Sequence, residues 1–258
     1  MMKALVCYKW IKDEADIVVD TVNKTLNMDK AKFKVSDYDR NALELGVQLN
    51  EKNGVEVYSL TVGQGVKAST TDVLARGSEK AYYVEAPEVD SSVTAKIIAE
   101  SVKKIGEMDL IICGEGSGDQ FSQQVGPRLA ALLGWKLVTY ASKVEVNGNE
   151  ITVERKLENV IEVIKVTGPV VITVLSEINV PRIPGMKQIL SAKKKPAEEL
   201  ALNDLGFTPD KLETGMKVVH IGPSIMDRKQ IRVNSNDVSV KDAVAELVQL
   251  LKANKDIQ

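Results

Sequence analysis

A chain of 258 residues, 44% of them hydrophobic, is long enough to bury one large core, or one core with an added arm. Lys plus Arg number 34 against 36 for Asp plus Glu, so the net charge of −2 gives no field that would gather nucleic acid or an anionic membrane. Cys7 and Cys113 belong to no C-x-x-C pair or ligand cluster, the N-terminal apolar run is too short for a signal peptide, and no run can span a bilayer. A reduced, cytoplasmic protein without membrane insertion is expected.

Ala4 to Tyr8 reads as a buried strand, and Lys9, Trp10 and Ile11 follow it at the end where open parallel sheets bind ligands. Lys9 there faces a phosphate or a carboxylate, or is simply a solvated lysine. Residues 12–35 read as an irregular excursion. In SDYDRNALELGVQLNEKNG, Ser36 or Asp37 caps a helix with Ala42, Leu43, Leu45, Gly46 and Leu49 toward the core, and Gly54 closes it. Asp37, Tyr38, Asp39 and Asn41 crowd its N-terminus; capping explains one of them, not four.

Val55 to Val62 reads as a second strand, ending at Gly63 and Gly65 before a helix over 66–76. Ala81 to Val84 is a third strand and Ser91 to Ile105 a helix with one apolar face. Leu110 to Cys113 is an unbroken apolar run, as a parallel-sheet interior requires. Gly114, Gly116 and Gly118 follow, then Val125, Leu129, Leu132 and Leu133 at helical spacing. Any α/β crossover needs a loop, but Ser117, Asp119, Gln120, Ser122, Gln123 and Gln124 add more polar groups than a cap needs. With the glycines and a helix N-terminus they point to a phosphate or nucleotide. Strands alternating with helices predict a doubly wound parallel sheet.

Beyond Trp135 the pattern becomes short β runs: a hairpin through Asn147-Gly148-Asn149, then Val160 to Val166 and Val170 to Leu175, together a sheet extension. INVPRIPGMKQILSAKKKP reads as a loop and a short helix. Met186 there either anchors a partner's pocket or folds back on the sheet. Ala197 to Asn236 reads as an irregular arm ordered by another subunit, with Met216 to Ile221 as a candidate strand. A helix over 238–251, with Asp237 or Ser239 at its start, closes the chain. His220, the one histidine, has no nucleophile pattern near it, so neither a catalytic triad nor a histidine metal site is expected. Asp37 and Asp39 read as ligand or cap contacts rather than as acid and base.

GEGSGDQFSQQVGPRLAALLGW and INVPRIPGMKQILSAKKKP, with LVCYKWIKDEADI and SDYDRNALELGVQLNEK, together resemble the small (β) subunit of electron-transfer flavoproteins over most of residues 1–196. The resemblance implies an adenine-nucleotide α-hydrolase-like fold. Residues 1–190 would form the nucleotide- or FAD-binding domain, and 191–258 an arm and helix wrapping a larger, flavin-carrying α subunit. Cofactor contacts would fall on Cys7, Lys9, Ser36, Asp37, Tyr38, Asp39, Val66, Ser117, Gly118, Asp119, Gln120, Ser122, Gln123, Gln124, Val125, Gly126 and Arg128. Many such subunits hold AMP, whereas electron-bifurcating ones hold FAD. The AMP type usually carries threonine where this chain has Val125, and valine donates no hydrogen bond, which favours FAD.

The segment from Arg182 to Ser191 matches the one with which the family docks acyl-CoA dehydrogenase-like partners, with Arg182, Met186 and Ile189 as contacts. A bifurcating subunit is implied. Its FAD would accept hydride from NADH and divide the electrons between ferredoxin or flavodoxin and, through the α-subunit FAD, a dehydrogenase. An AMP-holding, non-bifurcating subunit is the alternative. ATP-cleaving relatives of this fold carry a Ser-Gly-Gly turn after the first strand, where this chain has Lys9-Trp10-Ile11.

Overall fold

A computed structural model of the chain describes residues 1–224, 231–233 and 238–254. The elements in order are β1 (Lys3–Cys7), β2 (Trp10–Lys12), β3 (Val18–Asp20), β4 (Thr25–Asn27), β5 (Phe33–Val35), α1 (Asp37–Asn53), β6 (Glu56–Gly63), α2 (Thr70–Arg76), β7 (Lys80–Glu85), α3 (Ser91–Ile105) and β8 (Leu110–Gly114). There follow α4 (Val125–Leu133), β9 (Lys136–Asn147), β10 (Glu150–Lys156), β11 (Ile161–Thr167), β12 (Val170–Val174), α5 (Met186–Ala192), β13 (Ala197–Glu199) and α6 (Val240–Ala253).

Among the described residues nine strands form one sheet in the order β11-β10-β9-β12-β8-β1-β6-β7-β13, parallel except for the β9-β10-β11 meander. The unbroken apolar runs occupy its centre, because a strand covered on both faces has no polar side to show. Leu5, Leu60, Leu110, Ile111, Ile112 and Ile172 are fully buried, each stabilising by roughly 1.5–3 kcal/mol. Helices α1 and α2 pack on one face over Val6, Val57 and Ile112; α3 and α4 pack on the other over Leu5, Leu60 and Ile111. This is the doubly wound α/β fold that the alternating pattern predicts.

Several local expectations are corrected. Residues 12–35 are not irregular throughout: β2 pairs with β5, and β3 and β4 form a small sheet. The helix expected over 66–76 starts as a 3-10 turn, Val66–Ser69, and becomes α-helical at Thr70. β12 is no peripheral extension. It lies between β8 and β9 with all five residues buried. Residues 197–205 are not free arm, since β13 extends the sheet beside β7 while Leu200, Leu202 and Leu205 enter the core beneath α3. Met216 to Ile221 forms no strand.

Met1–Val18 and Leu26–Ile221 form one compact unit, and Val19–Thr25 with Gly222–Gln258 a second. Within the second, α6 starts at Ser239, whose hydroxyl accepts the N–H of Asp242, and it leaves Val244, Leu247 and Val248 exposed. Asp237 and Asn236 lie outside the described residues.

Candidate functional site

The chain runs from β1 into α1 on one face and from β8 into α4 on the other, although β1 and β8 are neighbours. Their carboxyl ends must therefore part, and open α/β sheets bind ligands in the crevice so formed. The N-termini of α1 and α4 and the loop over 115–124 all begin at this edge.

Loop and helix are sewn together by polar bonds. Lys9 Nζ pairs with Asp119 Oδ2 at 2.6 Å, and the Ser117 hydroxyl donates to Asp119 Oδ1 at 2.5 Å. Burial pushes the Asp119 carboxyl up, but Lys9 and Ser117 outweigh it and hold the group below the usual carboxylate range. Ser36 is the N-cap of α1 yet makes no capping bond with its side chain; its Oγ accepts the Gly118 N–H at 3.2 Å. Asp39, buried, accepts the N–H of Lys9 at 2.8 Å and that of Gly114 at 3.1 Å. Burial pushes its carboxyl up to about 7, against the pull of those two N–H groups.

The remaining expected residues divide. Asp37 turns outward to Lys34 and Arg40, and Tyr38 packs its ring 5.1 Å from that of Phe121. Cys7 and Cys113 are buried side by side in register, both as free thiols, with the Cys113 thiol pushed well up by the neighbouring Cys7 thiol and by burial. Val66 is buried at the start of the 3-10 turn that follows β6, a strand on the far side of β1 from β8. Gln120, Ser122 and Gln124 are exposed along the loop, and Gln124 accepts from Arg128 Nε at 3.1 Å. Gln123 is half-buried with a φ of 56°.

Val125 opens α4, and Gly126 follows at a point where a Cβ would lie 2.5 Å from Thr173 Cγ2 of β12. Gln124, the N-cap, gives its side chain to Arg128 and not to the backbone N–H groups of the helix, so those of Val125 and Gly126 stand at the crevice edge without a capping side chain. These groups and the Lys9 ammonium suit a phosphate.

Phe121 escaped the sequence reading. Its φ is 45°, a left-handed conformation costly for an aromatic residue, and its ring is 43% exposed against Tyr38. One hydrophobe amid a polar glycine loop was its only signal. The expected docking segment follows β12: Met186 is 73% exposed, Ile183 90% and Ile189 37%. Arg182 is already engaged, its guanidinium held by Glu44 and Glu51 of α1.

These features define a doubly wound α/β protein with a polar glycine loop at its topological switch point. A family model described as the electron transfer flavoprotein domain matches residues 24–205. The chain belongs to that family, with an electron-transfer role in a flavin-associated complex. Among the described residues no group of three or more His, Cys, Asp or Glu could hold a metal ion, and no helix is long and apolar enough to cross a membrane.

Proposed function

We propose that the chain is the β subunit of an electron-bifurcating electron-transfer flavoprotein, acting in the cytoplasm and holding a non-covalent FAD by its adenine half in the crevice between β1 and β8. When bound, FAD would supply the chemistry, hydride acceptance from NADH and electron release to ferredoxin or flavodoxin and, through the α-subunit FAD, to a flavin dehydrogenase. The chain itself binds and orients. Lys9 and the N–H groups of Val125 and Gly126 meet the phosphates, and the loop over 117–124 with Ser36 and Tyr38 walls the crevice.

The observation that carries FAD over AMP is Val125 at the first position of α4, where a threonine hydroxyl would otherwise offer a hydrogen bond to a terminal phosphate. The exposed tip at Ile183 and Met186 serves a dehydrogenase of the acyl-CoA dehydrogenase type. The chain beyond residue 221, with the apolar stripe of α6, wraps the α subunit. Co-purification with an α subunit and mass identification of the extracted cofactors test the reading. Two flavins per heterodimer, bleached by NADH, are expected. One flavin and one AMP would replace it with the non-bifurcating subunit.

A further inference from the structure

We propose that Asp39 is a positioning residue: its carboxylate ties the parting ends of β1 and β8 together and so sets the width of the crevice, without touching the nucleotide. The proposal rests on the reading of that crevice as a nucleotide site.

The pairing of β1 with β8 ends at Cys7 and Cys113. Beyond it the two chains follow different neighbours. The Tyr8 N–H donates to Leu60 O of β6 at 3.0 Å, and the Glu115 N–H to Val174 O of β12 at 3.0 Å. Lys9 and Gly114 therefore stand on opposite sides of a widening gap, and neither N–H can reach across to the other strand. A buried N–H without an acceptor is costly, so something must fill the gap.

Asp39 fills it with both oxygens, Oδ2 toward Lys9 and Oδ1 toward Gly114. An aspartate in the first turn of a helix ordinarily caps that helix or faces solvent. Here it is 6% exposed and spent on two other segments. Gly114 is shaped to this contact, because a Cβ there would lie 2.7 Å from Asp39 Oδ1 and 2.9 Å from the Tyr38 backbone. Because it is buried and each oxygen accepts a backbone N–H, the Asp39 carboxylate is a strut rather than a ligand contact.

The strut has two states within the ordinary pH range. Ionised, it makes two charge-assisted bonds; protonated, one oxygen becomes a hydroxyl and one strand end is held less firmly. The groups facing it are the Lys9 ammonium past β1, which favours ionisation, and Asp119 of the glycine loop, which opposes it. The Cys113 thiol, next to that of Cys7, is a further titratable group facing it, while Asp37 and Arg40 on its own helix pair with each other at the surface. An asparagine would resemble the protonated state, since its NH2 would oppose one of the two N–H donors.

The test uses the full-length chain, with FAD and ADP-ribose as probes because their pyrophosphates keep a constant charge between about pH 6 and 8. Two-dimensional 15N–1H spectra should show the Lys9 and Gly114 amides titrating together with one midpoint near neutrality, and Asp39→Asn should abolish that titration. Affinity for both probes should fall about tenfold from pH 8 to pH 6 in the wild type. In Asp39→Asn it should be about tenfold weaker at pH 8 and flat with pH.

Amides that do not share a titration, or a variant with wild-type affinity and slope, would overturn the proposal and leave the nucleotide reading intact. An affinity that rises toward acid would also overturn it, because the phosphate would then be sensing the carboxylate as charge. Shared amide titration with no adenine nucleotide bound at any pH would uphold the tie between the strands and reject the nucleotide reading. The wild-type measurements need no variant, so a poorly folding Asp39→Asn does not shield the proposal.

Discussion

Replacing Arg182 by methionine should loosen the docking segment at its root. The guanidinium holds two carboxylates of α1: Nε and Nη2 donate to Glu44 at 2.7 and 2.9 Å, Nη1 and Nη2 to Glu51 at 2.6 and 3.0 Å. The two pairs differ in worth because they differ in exposure. The Glu44 side chain is 6% exposed, Glu51 55% and Arg182 32%. Removing one partner of a buried pair costs roughly 3–5 kcal/mol. Water reaches Arg182, and Glu44 would keep its bonds from Gln48 Nε2 and the backbone N–H of residue 182, both at 3.1 Å, so about 2–3 kcal/mol is expected. Loss of the exposed Glu51 bridge is worth about 0–1 kcal/mol.

Urea denaturation should therefore rank Arg182→Met well below Glu51→Gln, and trypsin should cut the variant faster at Lys187. The pH dependence has a definite sign. Burial raises the Glu44 carboxyl, but Arg182 outweighs it and holds the group below its ordinary value, so the pair stabilises the fold above the unfolded glutamate pKa. That contribution disappears as pH falls through the lower folded value. Wild type and Arg182→Met should converge as pH falls through that lowered value, which lies below the ordinary glutamate value of about 4.3. A variant within about 0.5 kcal/mol of wild type at pH 7, with unchanged cleavage, would refute the anchor and return the guanidinium to the partner.

Gly126→Ala puts a methyl 2.5 Å from Thr173 Cγ2, so α4 must shift off β12; a loss of about 1–3 kcal/mol and weaker nucleotide retention are expected in thermal melts and gel filtration. Gln123→Gly relieves a φ of 56°, and chemical denaturation should show a change between zero and a gain of about 1 kcal/mol, any marked loss counting against strain in the loop. Met186→Ala, at a side chain 73% exposed, should leave stability within about 0.5 kcal/mol yet slow electron transfer to the dehydrogenase at least about tenfold. An unchanged rate would remove Met186 as the anchor.

Elements whose cause is local were readable in the sequence. The helix expected over 91–105 is α3 with the same bounds, because Asp90 caps it and its apolar residues recur on one face. What failed was placement. Val170 to Val174 carried the mark of an interior strand, four apolar residues out of five, but its seat between β8 and β9 depends on pairing across the sheet. β13 had no mark at all: Ala197, Glu198 and Glu199 are exposed, and the strand exists through backbone pairing with Ala81, Tyr82 and Tyr83. Side-chain periodicity does not register a strand held that way.

The site follows the same division. Glycine spacing and polar crowding identified the loop, since both act over a few residues. The bonds that give its members their roles join Lys9 to Asp119, Ser36 to Gly118 and Glu44 to Arg182, which no window of sequence contains. Asp37 and Asp39 show the consequence most sharply. Two residues apart at one helix start, they read as equals, but positions i and i+2 face nearly opposite sides of a helix. One is therefore turned to Lys34 and Arg40 at the surface, while the other is driven into the gap between two strand ends, where burial makes its proton negotiable near neutrality. The same residue type thus does surface pairing at one position and crevice geometry two residues on, on the opposite face of the helix, and only the direction of the helix entering the sheet edge decides which.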